Sequence, residues 1–285
     1  MKLFSASHFC IALAVAKNNK GANSMDLSSL VGLILALVGI FVGMAMKGVS
    51  PAALYVPAAM LIIFVGTIGA VAISSPTRDL KNVGKMFGVI FGNKKHTTNE
   101  EAIEQLVRFA EIARREGLLA LEKMVNEIED PFLKRGIVMI NDGVTTEFIE
   151  EALLEDIYAT EERHASNAQV FTQAGTYAPT LGVLGAVVGL IAALGDMNDI
   201  EKLGHAIAAA FVATVFGIFT GYVLWHPFAN KLRQKSKIEM ETRYLIIKGL
   251  VAMQNGENPR ILREKLLSYL SVGERENVGT GGGGA

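Results

Sequence analysis

Thr176, Tyr177 and Thr180 lie in one long apolar stretch of the chain, and Thr214 and Thr220 lie in another. A hydroxyl at membrane depth can hold water or a cation, or bond back to its own helix. Pro179 stands among the first three, and a proline within a helix leaves the carbonyl four residues earlier without its usual donor. Neither stretch has Asp, Glu, Lys or Arg in its interior, although ion transfer across a bilayer ordinarily needs an ionisable or oxygen-rich site at depth. Taken together, these residues fit a wet interface whose missing acid comes from a partner. Taken singly, each is equally well explained by packing: Gly182, Gly185 and Gly189 let helices approach closely, and the threonines bond across or back.

Other chemistries find little support. The chain has no Gly-rich phosphate loop, no HExxH, no GxSxG and no carboxylate pair in an evident cleft. The expectation is a non-enzyme without a cofactor or metal. Cys10 is the only cysteine, so neither a disulfide framework nor a cysteine zinc site can form. Of the histidines, His205 and His226 flank an apolar stretch as interfacial residues, while His96 and His164 sit in solvated contexts. A net charge of −1 over 285 residues gives no reason to expect a nucleic-acid partner.

The elements that must position these residues are membrane spans. Hydrophobic residues make up 51% of the chain and the mean hydropathy is +0.35, values that point to long apolar runs. Leu27 to Met46 is one such run, matching the ~20 residues that cross about 30 Å of hydrocarbon. A turn at Lys47 to Pro51 leads to a second span, Leu54 to Ile73, stopped by Ser74-Ser75-Pro76. Val170 to Leu194 and His205 to Trp225 form the third and fourth spans, joined by an acidic turn from Asp196 to Lys202. Arg78, Lys81, Lys85, Lys94 and Lys95 follow span two, and Lys231, Arg233, Lys235 and Lys237 follow span four. The positive-inside rule puts both basic segments, and both termini, in the cytoplasm.

Between the span pairs, Thr98 to about Gln169 reads as a soluble helical region. Thr98-Asn99-Glu100-Glu101 has the form of a capping box, Gly117 interrupts the helix it opens, Pro131 begins another after Asp130, and Asp142-Gly143 ends that one. The expected fold is therefore all-α: a polytopic membrane protein with four transmembrane helices and a large cytoplasmic helical region. Its expected divisions are a leader over 1–24, with Met25 as the natural start, a transmembrane hairpin over 25–75 and a cytoplasmic helical domain over 76–169. Spans three and four then occupy 170–226, cytoplasmic C-terminal helices 227–271, and a flexible tail 272–285.

Three segments carry a resemblance to the MotA family, especially its Gram-positive branch. They are Thr176-Tyr177-Ala178-Pro179-Thr180-Leu181-Gly182-Val183-Leu184-Gly185-Ala186-Val187-Val188-Gly189-Leu190, Gly221-Tyr222-Val223-Leu224-Trp225-His226-Pro227, and Ala113-Arg114-Arg115-Glu116-Gly117-Leu118-Leu119-Ala120-Leu121-Glu122. The resemblance runs from Met25 to about Ser271. It implies a flagellar stator subunit in the bacterial cytoplasmic membrane, assembled as a ring of five around the spans of two MotB-type chains. Those partners supply the ion-binding Asp and the peptidoglycan anchor. By the same matching, Pro179 and Pro227 correspond to the family's functional prolines, and Arg114 and Glu122 to the charges facing the rotor protein FliG. Charges on a solvated helical surface would otherwise need no such role.

Tyr177, Pro179, Thr180, Ala186 and Thr214 are the expected ion-path residues. H⁺ is expected over Na⁺, because sodium-type relatives such as PomA carry Thr at the position of Ala186, and a methyl group offers no oxygen ligand. Close packing beside Gly185 and Gly189 would account for Ala186 in either case. An ExbB/TolQ-like energy transducer is the nearest alternative, although such relatives usually have three spans. A non-conducting membrane scaffold is the other.

Overall fold

The computed structural model describes residues 27–92, 97–195, 200–270 and 275. The expected leader, the start at Met25, Lys94, Lys95, His96, Asp196 to Asp199 of the acidic turn and all of the tail but Arg275 lie outside the described residues. The described chain is all-helical, and four of its helices are long and apolar enough to cross a membrane.

The chain divides into two compact units: residues up to 94 with 164–234, and 95–163 with the residues from 235 onward. In the first unit, α1 (Leu27–Met46) is 20 residues long, which at ~1.5 Å per residue gives about 30 Å. Its apolar side chains stay exposed, among them Ile34, Val38 and Val42, as suits a helix whose solvent is hydrocarbon. Gly48 closes it at φ +70°, a left-handed cap that glycine adopts without a Cβ penalty. After a short 3-10 turn at Pro51–Leu54, α2 (Pro57–Ser74) returns, burying Ala59, Ile63, Thr67 and Val71 along one stripe. Ser75, extended before Pro76, ends it.

The basic segment after Pro76 folds into two short helices, α3 (Thr77–Lys81) and α4 (Val83–Phe91). The reason is visible between the lysines: Val83, Met86, Phe87, Ile90 and Phe91 recur at helical spacing. Met86 and Ile90 pack with Ala168, Phe171, Ala229 and Leu232. Phe87 meets Phe171 edge-on at 5.4 Å, and Phe91 meets Phe228 at 5.5 Å.

In the second unit the expected capping box closes α5 (Asn99–Glu116): Glu101 N–H donates to Thr98 Oγ1 at 3.1 Å, and Thr98 N–H donates to Glu101 Oε2 at 3.0 Å. Gly117, at φ +85°, turns the chain into a 3-10 segment, Leu118–Glu127. Asp130 accepts from the amides of Phe132 and Leu133 and starts α6 (Pro131–Asn141). Two long helices follow in the chain: α7 (Thr146–Leu194), which belongs to the first unit from residue 164 on, and α8 (Ile200–Phe219), wholly of the first unit. The latter continues through a π-helical turn at Thr220–Trp225 into α9 (His226–Gln254), part of the second unit from residue 235. The acidic helix expected before span three and span three itself are thus one helix. Pro259–Leu267 forms α10.

The core of this unit gathers Ile103 and Leu106 of α5, Leu133 and Ile137 of α6, Ile149, Leu153 and Ile157 of α7, and Leu245 and Leu250 of α9. Arg243 of α9 donates to Glu239 at 2.7 Å and to Thr160 at 3.2 Å, and stacks 5.0 Å from the Phe132 ring centroid.

Candidate functional site

Within the first unit, α7 and α8 meet along a seam of missing side chains. A Cβ on Gly217 would stand 2.7 Å from the Ala178 carbonyl oxygen and 2.9 Å from Gly182 Cα, and one on Gly182 would stand 2.8 Å from the Ala213 carbonyl oxygen. Nearer the α9 end, a Cβ on Gly221 would meet the Pro179 ring at 2.7 Å and the Gly175 carbonyl oxygen at 2.8 Å. That oxygen is the acceptor whose helical donor Pro179 removes. Gly175 in turn lies against the His226 ring, which packs 5.3 Å from Tyr222. Of the glycines singled out in the sequence, Gly182 belongs to the seam, Gly185 makes ordinary contact with Ile62 and Ala213, and Gly189 has no neighbour within 4 Å. Gly175, Gly217 and Gly221 escaped sequence reasoning. The four-residue spacing of the last two was the available signal.

The hydroxyls behave alike. Thr180 donates to the Tyr177 carbonyl at 2.8 Å, Thr176 to Thr172 at 3.0 Å, Thr214 to Ala210 at 3.1 Å and Thr220 to Phe216 at 2.8 Å. Each hydrogen is committed to the helix itself, so each oxygen remains an acceptor. Thr176 and Thr180 face outward, Thr214 is half-buried and Thr220 is buried. Tyr177 packs beside Val71, Val170 and Ala174. Ala186 is buried among Ala59, Ala210 and Ala213, so its methyl serves close packing between α7, α2 and α8. Pro227 is exposed at the second position of α9, directly after the π turn, where the His226 amide donates to the Gly221 carbonyl. A proline there lacks the next donor and its ring crowds the preceding turn, and widening to π geometry relieves both.

A further polar contact was not anticipated. Asp79 of α3 is only 2% exposed, and Ser166 of α7 donates to its Oδ2 at 2.5 Å, with Arg78 Nε 3.5 Å from Oδ1.

Arg114 and Glu122 belong to the second unit, on either side of Gly117. Both are exposed, and neither forms an ion pair among the described residues. With its amide turned so that nitrogen faces the Leu118 carbonyl, the orientation its neighbours call for, Asn141 donates to that carbonyl at 3.0 Å and accepts from the Glu122 amide at 3.2 Å, anchoring the segment that carries Glu122.

The profile of the MotA/TolQ/ExbB proton channel family matches residues 124–244, and that of the Motility protein A N-terminal region matches residues 30–117. Motility protein A of Bacillus subtilis is 54% identical over 251 residues, 88% of this chain and 93% of that protein. The chain belongs to the MotA family. Its relatives include Chemotaxis protein PomA of Vibrio alginolyticus, 34% identical over 88% of this chain and 98% of that protein. The solved flagellar MotAB stator complex of Bacillus subtilis superposes with a TM-score of 0.83 at 54% identity, over 87% of this chain and 97% of that one. Within the wider family, the match to the Motility protein A N-terminal region and the presence of four candidate spans put this MotA-family chain on the motility side rather than with the three-span transducers.

Proposed function

We propose that this chain is the torque-generating membrane subunit of a flagellar stator, and that it couples H⁺ flow to rotor movement. The observation that carries this reading is the combination of a proline-bearing, hydroxyl-bearing face on α7 with spans that hold no Asp, Glu, Lys or Arg in their interiors. Such a face can guide an ion but cannot titrate, so the acid comes from a MotB-type, peptidoglycan-anchored chain with a single span. Five copies of this subunit surround the spans of that partner. Tyr177, Pro179, Thr180, Ala186 and Thr214 line or shape the path, Pro179 and Pro227 let α7 and α8 move as the partner's acid is protonated and released, and Arg114 and Glu122 engage FliG. The transported ion is H⁺; the reading assigns no cofactor and no catalysis to the chain. Both termini are cytoplasmic, with the divisions near residues 75, 169 and 226 separating spans from cytoplasmic helices and that near 271 separating those helices from the tail.

The test is complementation. Expressed with a single-span, Asp-bearing MotB-type protein, the chain is expected to restore swimming to a strain lacking its own stator pair. Assembly of the complex in the membrane without any swimming would overturn the torque assignment. Failure of any acid-bearing partner to give ion flux would favour the scaffold reading.

A further inference from the structure

Thr172, Thr176 and Thr180 follow one another at four-residue intervals along α7, and therefore share one face. Their hydrogens are all turned inward: Thr172 donates to the Ala168 carbonyl at 3.3 Å, Thr176 to Thr172 at 3.0 Å and Thr180 to Tyr177 at 2.8 Å. What this face offers its surroundings is a row of acceptor oxygens, the groups that a hydrated proton needs around it. Successive rungs rise by about 6 Å, four residues at ~1.5 Å each. A water making two hydrogen bonds of about 2.8 Å at its near-tetrahedral angle spans only about 4.5 Å, so a chain of two waters fits between successive threonines.

The row ends on a cation. Arg233 Nη2 donates to Thr172 Oγ1 at 2.7 Å, and its Nη1 donates to Asn230 Oδ1 at 3.2 Å. Both partners are neutral, and Arg233 has no carboxylate partner among the described residues. Its charge is therefore not neutralised by a carboxylate in contact, and it stands exposed at the end of the row. An arginine serving only to fasten α9 to α7 would do so equally well against a carboxylate.

Resting on the stator reading above, we infer that Thr180, Thr176 and Thr172 form a ladder that carries H⁺, on water, from the level of Pro179 toward the cytoplasm, and that Arg233 is an electrostatic gate at its exit. The proton moves between waters, and no threonine loses its hydrogen. The ladder opens when movement of α7 or α9 draws the guanidinium away from Thr172.

The experiment uses the whole chain co-expressed with a partner truncated just beyond its span, so that the path stands open, and reads the fall in cytoplasmic pH after an external acid pulse. Co-purification of the two chains checks assembly. Thr176→Val combined with Thr180→Val keeps shape and removes two oxygens. It is expected to slow acidification by about fivefold or more, the rate equivalent of one lost hydrogen bond, and the corresponding serine pair should recover most of the rate. Arg233→Gln removes the charge while keeping a donor, and it is expected to speed acidification; a fastening role would slow it. An assembled valine pair that conducts like the unsubstituted chain, or an Arg233→Gln complex that conducts no faster, overturns the ladder or the gate respectively. An unsubstituted complex that assembles but does not acidify the cell overturns the stator reading itself.

Discussion

Arg114 and Glu122 are exposed and make no ion pair among the described residues, so the fold gains nothing specific from their charges. Reversing either is expected to change stability by no more than about 0.5 kcal/mol while reducing swimming, with partial recovery when complementary charges on the rotor are reversed as well. Membrane assembly, checked by co-purification with the partner, should persist; its loss in Arg114→Glu would show that the charge serves the fold. Pro179 differs because it is built into the seam, its ring lying against Gly221. Pro179→Ala restores a donor for the Gly175 carbonyl and lets α7 straighten, and it should depress torque on a tethered cell while leaving the complex intact. Unchanged torque would reduce the proline to a tolerated irregularity.

At the scale of elements, the α7–α8 seam depends on backbones meeting where side chains are absent. Gly217→Ala inserts a methyl 2.7 Å from the Ala178 carbonyl oxygen, an overpacking expected to cost about 1–3 kcal/mol. Thermal unfolding of the purified complex should register this loss, and Gly84→Ala on α4, which has open space around it, should be neutral or slightly stabilising. The Asp79–Ser166 contact calls for a double-mutant cycle: Asp79→Asn, Ser166→Ala and the pair are expected to show a coupling of about 1–3 kcal/mol, and strict additivity would mean the two groups stand together without depending on each other. The spans, the capping box at Thr98 and the start at Pro131 were legible because each is written in local residues, as an apolar run, a Thr-x-x-Glu pattern or a proline after Asp130. Helix α4 holds a single lysine, Lys85, but Lys81 before it and Lys94 after it give the segment the composition of a basic linker. The π turn at Thr220–Trp225 and the buried Asp79 were not legible. The first depends on how Pro227 is accommodated within a continuing helix. The second depends on which residue of another helix lies opposite.

For the whole molecule the question is which ion drives it. Ala186, buried among alanines, supplies no oxygen, while Thr180 and Thr214, whose hydrogens go to backbone carbonyls, offer one acceptor oxygen each. Shedding the water of Na⁺ requires several oxygen ligands in its place, whereas H⁺ needs an acid and a hydrogen-bonded route. Swimming speed is thus expected to be unchanged when external Na⁺ is replaced by K⁺ at fixed pH, and to fall to zero with a protonophore. Swimming that survives the protonophore at alkaline pH but stops without Na⁺ would reverse the assignment. The seam has a consequence for descent as well. Glycine to alanine is a single-base change, open at most positions of a gene, but at Gly217 and Gly221 it is blocked by atoms of the facing helix. The atoms in the way at Gly217 belong to the backbone, which no substitution opposite can withdraw, so lineages of this chain will hold glycine there while open sites such as Gly84 drift to alanine.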